Sequence, residues 1–193
     1  MDAALALFSS RGFAQTRVED IAARAGLSKA AVYLYFPSKQ ALLQGLVHRA
    51  ISGLADDAIA RMKDWRGDPR PLLAQLLRQI AARLADPAVV AIPALILREA
   101  PHAPEIAAVY RAEVLDRMIP ALAALVAQGV AGGHIRAVDP ELTVRSIVGP
   151  VMMHLILVHV FEMSAGDGPG LDILVENHLT ILNAGLAPEK GVP

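Results

Sequence analysis

The sequence predicts an all-α fold, in which a small N-terminal domain of three helices precedes a larger helical domain. Apolar residues recur at helical spacing along almost the whole chain, and no stretch shows the sustained apolar–polar alternation of a strand. The interruptions between these segments carry the residues that usually begin or end helices. We therefore expect helices joined by short connections.

Nine helices are predicted in chain order. They cover 2–11, 18–25, 28–35, 38–64, 70–84, 87–99, 104–129, 139–163 and 169–186. Three pairs, Asp68-Pro69, Asp86-Pro87 and Asp139-Pro140, each place a capping acid before a proline at the first helical position. Gly132-Gly133 and the segment Gly166 to Gly170 separate the last helices. Because 38–64 has no break, the boundary between domains 1–45 and 46–193 falls inside a continuous helix, which we expect to act as a lever.

The spacing within residues 16–39, TRVEDIAARAGLSKAAVYLYFPSK, predicts a helix-turn-helix motif. Ala22 is small where the two helices would cross, and Gly26 would supply the positive φ of the turn. The motif needs a shared apolar core at fixed offsets. We assign that core to Ile21, Ala25, Leu27 and Val32, and place Phe36 in the core as well.

Three helix caps follow the same register. Thr16 and Glu19 form a predicted capping box for the first helix of the motif. Ser28 is expected to cap the second helix, and Ser38, just after Pro37, the third. Such a motif reads DNA through its second helix, whose N-terminal end enters the major groove.

Within that recognition helix, 28–35, Lys29 is the one long polar side chain near the N-terminal end. We expect it to contact guanine O6 or N7, while Ala30 and Ala31 can offer methyl contacts to thymine. The alternative for Lys29 is an ordinary solvated lysine.

These residues resemble the N-terminal domain of the TetR (tetracycline-repressor-like) family of bacterial regulators. The matching pieces are ALALFSSRGF at 4–13, Thr16, DIAARAGLS at 20–28 and VYLYFPSKQALL at 32–43. The resemblance implies that Thr16, Tyr33, Tyr35 and Lys39 contact phosphates. The predicted DNA-binding set is thus Thr16, Ser28, Lys29, Ala30, Ala31, Tyr33, Tyr35 and Lys39. The open alternatives are core packing for the two tyrosines, a surface role for Lys39 and a purely capping role for Thr16.

The charge distribution agrees with a DNA-binding N-terminal domain. Residues 1–50 contain six Lys or Arg against three Asp or Glu, whereas the rest of the chain contains twelve against sixteen. A mildly basic N-terminal domain joined to an acidic larger domain is compatible with weak electrostatic binding of phosphates by the N-terminal domain.

The larger domain is predicted to bind a small apolar effector. Pro93, Pro120 and Pro150 fall inside predicted helices, where each removes a backbone hydrogen bond and opens space between helices. The resemblance places the ligand cavity along the same segments. The predicted ligand-binding residues are Met62, Trp65, Ile96, Tyr110, Met118 and His154, with core packing as the alternative for each.

The last helix predicts a homodimer. Asp172, Glu176, Thr180 and Asn183 form one narrow polar stripe, and apolar residues cover most of the remaining circumference. Such a helix must be buried on two sides, one of which a partner subunit can supply. We expect 139–163 and 169–186 to form a four-helix bundle across a two-fold axis, as in the family, with a monomer as the alternative.

Other classes of protein find little support. No cysteine is present, which excludes thiolate metal sites and suits the cytoplasm. No catalytic motif occurs, and His154 and His159 point to different faces of a helix, so we expect neither an enzyme nor a metal site or cofactor. The most apolar run, 147–161, is shorter than the ~20 residues that span a bilayer, so we predict a buried helix and no membrane partner.

We conclude that the sequence predicts a ligand-responsive transcriptional regulator. The expected form is a homodimeric repressor that binds a palindromic double-stranded DNA operator and is released by a small, largely apolar effector. The alternatives are an activator with the same fold, and an all-helical protein that binds apolar ligands without reading DNA.

Overall fold

The computed structural model describes residues 1–163 and 168–188. Over these residues the fold is all-α, as predicted, with no strand. The α-helices are α1 Asp2–Arg11, α2 Val18–Arg24, α3 Lys29–Tyr35, α4 Lys39–Val47, α5 Gly53–Asp64, α6 Arg70–Leu84, α7 Pro87–Glu99, α8 Pro104–Tyr110, α9 Asp116–Ala131, α10 Pro140–His159 and α11 Leu171–Leu186.

The residues form two compact units, each built from two stretches of the chain. The first unit is Met1–Leu54 with Pro87–Asp116. In it, α1 contacts α2, α4 and α7, and α4 contacts α8. Its core includes several fully buried side chains: Phe8, Phe13, Leu42, Leu43, Leu46, Ile92, Leu95 and Ile106. Helices α7 and α8 therefore pack with the first 54 residues, although the predicted domain boundary assigns them to the second domain.

The second unit is Ala55–Asp86 with Arg117–Pro193. Helix α11 packs against both α6 and α10. One continuous apolar cluster fills this unit, and its most buried members include Leu72, Leu73, Leu125, Val126, Ile135, Val144, Ile147 and Val175. The final helix thus has the buried apolar side that its sequence predicts.

Two of the predicted long helices contain a turn of π-helix. The predicted helix 38–64 is helical from Lys39 to Asp64, but His48–Ser52 form a π turn between α4 and α5. A second π turn, Arg111–Leu115, lies between α8 and α9. Each π turn inserts a residue into the regular hydrogen-bond ladder. The prediction of uninterrupted α-helix is therefore wrong at these two places.

The predicted helix starts are only partly confirmed. The Asp139 carboxylate accepts a hydrogen bond from the N–H of Leu142 at 2.8 Å, and Pro140 is the first helical residue. Pro87 likewise begins α7. At α6, however, Pro69 is itself the N-cap residue and the helix begins one residue later. The predicted stop at 166–170 lies partly outside the described residues.

Helix α10 corrects the argument about the apolar run 147–161. By length and composition alone, the described helices include two that could cross a bilayer, Pro104–Ala131 and Pro140–His159, with 28% of the apolar window buried in each. The helix that contains 147–161 is therefore long enough to span a bilayer, and the prediction that it is too short is wrong. The prediction of a buried helix holds for one face of α10: Ile147 and Val151 lie in the core, whereas Met153 is 55% exposed.

Candidate nucleic-acid interface

Helices α2 and α3 pack through a small set of buried residues. Ile21, Ala22 and Val32 are almost fully buried, so these predicted core positions are confirmed. Gly26 has a φ of +67°, as the turn was predicted to require. Ala25 and Leu27 were wrongly assigned to the core, since both are exposed. They stand at the turn, where the chain has already left the contact between the two helices.

Two of the three predicted caps are confirmed. The Ser28 hydroxyl accepts a hydrogen bond from the N–H of Ala31, and the Ser38 hydroxyl accepts one from Ala41. The capping box is wrong, because Arg17 is the N-cap residue of α2 and no side chain caps that helix. The Thr16 hydroxyl is buried instead, and donates to the carbonyls of Gly12 at 2.7 Å and Leu7 at 3.2 Å.

Helix α3 presents its other side to solvent. Tyr33 is 40% exposed, Tyr35 is 75% exposed and Leu34 is 79% exposed, while Val32 faces the core. Ala30 is exposed and Ala31 is half-buried. The alternative in which the two tyrosines pack in the core is therefore wrong, and both phenols are placed on a surface that a ligand can reach.

The predicted base-reading residue is paired within the free protein. The Lys29 ammonium forms an ion pair with the Glu19 carboxylate, and it also lies 5.7 Å from the centre of the Tyr33 ring. The hydrogen bond from Lys29 lowers the pKa of Glu19, and the same contact raises the pKa of Lys29. Both side chains are about half exposed, so the pair lies at the surface.

Lys39 occupies a more buried place than a surface lysine. Its ammonium donates to the carbonyls of Phe13 at 2.7 Å and Ala14 at 3.2 Å, and lies 4.4 Å from the centre of the Phe13 ring. Burial lowers the pKa of Lys39. Two of its three N–H donors therefore hold the α1–α2 turn, and one N–H remains for the predicted phosphate contact.

The end of α7 supplies two contacts that the sequence analysis missed. The Glu99 carboxylate accepts a hydrogen bond from the N–H of Phe13 at 2.8 Å, and the Arg98 guanidinium donates to the carbonyl of Ser9 at 3.0 Å. Gly12 has a φ of +81°, and a Cβ there would lie 2.9 Å from Glu99. No local pattern marks these contacts, because 86 residues separate Glu99 from Phe13.

The predicted ligand-binding residues are divided between the two units. Ile96 and Tyr110 belong to the first, where Ile96 is buried and burial raises the pKa of Tyr110. The other four, Met62, Trp65, Met118 and His154, belong to the second. Met62 is buried in its core, and the Trp65 indole N–H donates to the carbonyl of Asp68 at 2.9 Å.

A shallow depression of about 260 Å³ in the second unit does not involve these residues. It is lined by Asp68, Arg70, Pro71, Ala74, Arg78 and Asn183. The Arg70 and Arg78 guanidinium groups pair with Asp68 and Glu176. Over residues 1–163 and 168–188, no three His, Cys, Asp or Glu side chains are grouped closely enough to hold a metal ion.

An exposed recognition helix, supported by a buried crossing and capped at its first turn, defines a helix-turn-helix DNA-binding protein. Residues 1–46 match the family model described as bacterial regulatory proteins, tetR family, and residues 64–165 match the one described as tetracyclin repressor-like, C-terminal domain. The second match covers more than half of the chain. The chain therefore belongs to the TetR family of bacterial transcriptional regulators, as the resemblance implied.

Individual relatives share either the sequence of the N-terminal part or the whole fold. The HTH-type transcriptional regulator RutR of Escherichia coli (strain K12) is 42% identical over 74 residues, which are 38% of this chain and 33% of the relative. The matched part thus spans about a third of that protein. The SmeT–triclosan complex, with SmeT from Stenotrophomonas maltophilia, covers 100% of this chain and 92% of its own at 21% identity, with a TM-score of 0.79. FadR from Bacillus subtilis, solved with stearoyl-CoA, has 22% identity, 96% coverage of both chains and a TM-score of 0.74.

Proposed function

We propose that this chain is a repressor that binds a palindromic operator as a homodimer and leaves it when a small, largely apolar effector binds. The observation that carries the proposal is the accessibility of α3: Tyr33 and Tyr35 face solvent while Val32 anchors the helix. In this proposal Lys29, Ala30 and Ala31 contact bases. Tyr33, Tyr35 and Lys39 contact phosphates, and Ser28 fixes the first turn. Thr16 is left out of the predicted phosphate contacts, because its buried hydroxyl already donates to the carbonyls of Gly12 and Leu7.

The proposed dimer uses the exposed apolar faces of α10 and α11. Leu142 and Met153 are 61% and 55% exposed on α10, and Ile173 and Ile181 are 62% and 63% exposed on α11. Leu142, Gly149 and Met153 recur at helical spacing on one side, and Ile173 and Ile181 lie two turns apart. Large exposed apolar side chains on one side of each of two packed helices favour contact with a second copy of the chain.

The proposed effector is apolar because the larger domain is rich in apolar side chains and its relatives carry such ligands. Solved structures with this fold contain triclosan in SmeT and stearoyl-CoA in FadR. For this chain we propose Met62, Trp65, Ile96, Tyr110, Met118 and His154 as effector contacts. Binding would tilt the helical stretch 39–64 and so change the spacing of the two recognition helices.

The direct test uses duplex DNA from immediately upstream of the chain's own coding region, where we expect a palindromic site. We expect the protein to bind this site in the bacterial cytoplasm. Fluorescence anisotropy at fixed salt measures the affinity of the wild type, Lys29→Ala and Tyr33→Phe. We expect both variants to bind more weakly while far-UV circular dichroism stays unchanged. Unchanged affinity in both variants would contradict the roles proposed for Lys29 and Tyr33, and absence of wild-type binding would instead support a protein that binds apolar ligands without reading DNA.

The regulatory part of the proposal is tested separately with acyl-CoA and triclosan as probes. A probe that binds should lower the affinity for the operator and raise transcription from it in a reporter strain. Equal operator affinity with and without a bound probe contradicts release by that effector, and lower transcription after binding identifies an activator.

A further inference from the structure

We infer that Glu19 is a specificity-determining residue, and that it reads the same base pair as Lys29. In this arrangement Lys29 donates to the guanine of a G·C pair, and Glu19 accepts a hydrogen bond from the amino group of the paired cytosine. The inference rests on the proposed function, since it requires α3 to enter the major groove.

The two side chains meet at the surface, where α2 and α3 both begin. Glu19 is the second residue of α2 and Lys29 is the first residue of α3, and their charged groups are in contact. The side chains are 51% and 54% exposed, so neither is committed to the core. An ion pair screened by solvent in this way contributes little to folding stability. Because the Lys29–Glu19 pair lies beside the exposed face of α3, we assign it a role in DNA recognition.

The pair presents a donor next to an acceptor, which is the complement of a G·C edge. In the major groove, guanine O6 accepts hydrogen bonds and the adjacent cytosine N4 amino group donates one. The ammonium of Lys29 and the carboxylate of Glu19 match these two groups in one orientation only. A T·A pair offers an acceptor and a donor in the same order, but it lacks the guanine N7 acceptor and carries a methyl group.

The charge of Glu19 makes the reading selective. Duplex DNA carries one phosphate charge per ~1.7 Å, so a carboxylate on the DNA-facing surface weakens binding to every sequence. Once Lys29 turns its N–H groups toward the guanine, a base amino group placed against the carboxylate offsets that repulsion. Glu19 thus penalises incorrect sites more than it strengthens the correct one, which is how repulsive groups produce specificity.

The test is selection from a fully randomised DNA duplex with the full chain. The variants are Lys29→Ala, Glu19→Ala and Glu19→Gln. Asp20→Ala is the matched control, because Asp20 lies in the same turn of α2 but pairs with Arg11 at 3.7 Å. We expect the wild type to enrich G·C at one position of each half-site. Lys29→Ala and Glu19→Ala should both lose the preference there, whereas Asp20→Ala should keep it.

Two further measurements separate base reading from a structural effect. Glu19→Ala should bind random duplex more tightly than the wild type, and Glu19→Gln, which keeps an acceptor oxygen, should retain part of the preference. At the selected position, replacing cytosine with a pyrimidinone that lacks the N4 amino group should weaken wild-type binding by about tenfold or more. The same replacement should leave Glu19→Ala unaffected.

Each outcome decides the inference. The inference is overturned if Glu19→Ala keeps the wild-type preference for G·C. It is also overturned if Glu19→Ala changes the base preference at a position where Lys29→Ala does not. If Glu19→Ala loses helicity by circular dichroism, Glu19→Gln and the pyrimidinone measurement decide instead. Failure of the wild type to enrich any sequence overturns the proposed function as well, so the two failures are distinguishable.

Discussion

The carboxylate of Glu99 accepts a hydrogen bond from the backbone N–H of Phe13 at 2.8 Å and so joins the end of α7 to the α1–α2 turn. Glu99→Ala removes the acceptor and leaves this partly buried N–H unpaired, which costs about 1–3 kcal/mol of folding stability. We expect weaker operator binding too, because the turn supports α2. Urea denaturation and anisotropy measure the two effects.

A matched control is available on another helical segment of the same unit. The Glu113 carboxylate accepts a hydrogen bond from the Gln44 side chain at 2.7 Å, but the contact is exposed. Glu113→Ala should therefore change the unfolding free energy by less than about 0.5 kcal/mol. Equal losses in the two alanine variants would contradict a special role for Glu99.

Lys39 should matter more for stability than its predicted phosphate contact suggests. Lys39→Met removes two hydrogen bonds to the α1–α2 turn and the contact with the Phe13 ring, for a loss of about 1–2 kcal/mol in urea denaturation. Lys29→Met, at an exposed site, is the control and should be nearly neutral. The salt dependence of DNA binding tests the phosphate contact: its slope should fall by about 0.9 in Lys39→Met, and an unchanged slope contradicts that contact.

Gly26 tests the turn of the motif without any change in packing. Its φ is +67°, and no atom lies within 4 Å of a Cβ built at this position. Gly26→Ala should therefore cost about 1 kcal/mol purely through backbone strain. Gly26→Asn should cost less, because asparagine tolerates this conformation. Equal stability of the wild type and Gly26→Ala in urea denaturation would show that the turn does not need glycine.

The local features of this site were predictable from the sequence. Ser28 and Ser38 each accept a hydrogen bond from a backbone N–H three residues further along, and Gly26 supplies the positive φ of one turn. A few neighbouring residues are therefore enough to predict each of these features. Thr16 shows the limit of that approach. The sequence contains the hydroxyl and the glutamate of a capping box, but the Thr16 hydroxyl donates to the carbonyls of Leu7 and Gly12 and does not cap α2.

The features that depend on tertiary packing were missed for a physical reason. Leu27 was assigned to the core by its offset in the motif, yet the chain turns away from the core there and leaves it 53% exposed. Lys39 and Glu99 act on backbone groups 25 to 86 residues away. A backbone partner leaves no trace in residue type, so spacing and composition cannot reveal it.

The proposed dimer is tested by a charge on the exposed apolar side of α11. Ile181 is 63% exposed on α11, and Ile181→Glu should leave the monomer folded while placing an unpaired carboxylate in the interface. Such a charge costs several kcal/mol when buried, so sedimentation should show a monomer and operator binding should be lost. Ile80→Glu on α6, where the wild-type side chain is 37% exposed, is the control and should remain dimeric. A dimeric Ile181→Glu would place the interface elsewhere.

Asp68 and Arg70 should make the stability of the second unit depend on pH. The Asp68 carboxylate accepts hydrogen bonds from the Arg70 guanidinium at 2.7 Å and from the Arg70 backbone N–H at 3.0 Å, and these bonds lower the pKa of Asp68 below its usual 3.8. Because the folded-state pKa is the lower one, the stabilisation is present above pH 3.8 and is lost as the pH falls through the folded value. Asp68→Asn should cost about 1 kcal/mol at pH 7, with the difference from wild type shrinking in acid.

A double-mutant cycle assigns this loss to the pair and not to Asp68 alone. Arg70→Gln should reproduce the pH dependence of Asp68→Asn, because either change removes the charged contact. Combining the two should add little to either single loss in urea denaturation at pH 7. Additive losses would mean that each side chain stabilises the start of α6 independently, and the charged contact between Asp68 and Arg70 would then not account for the Asp68 effect.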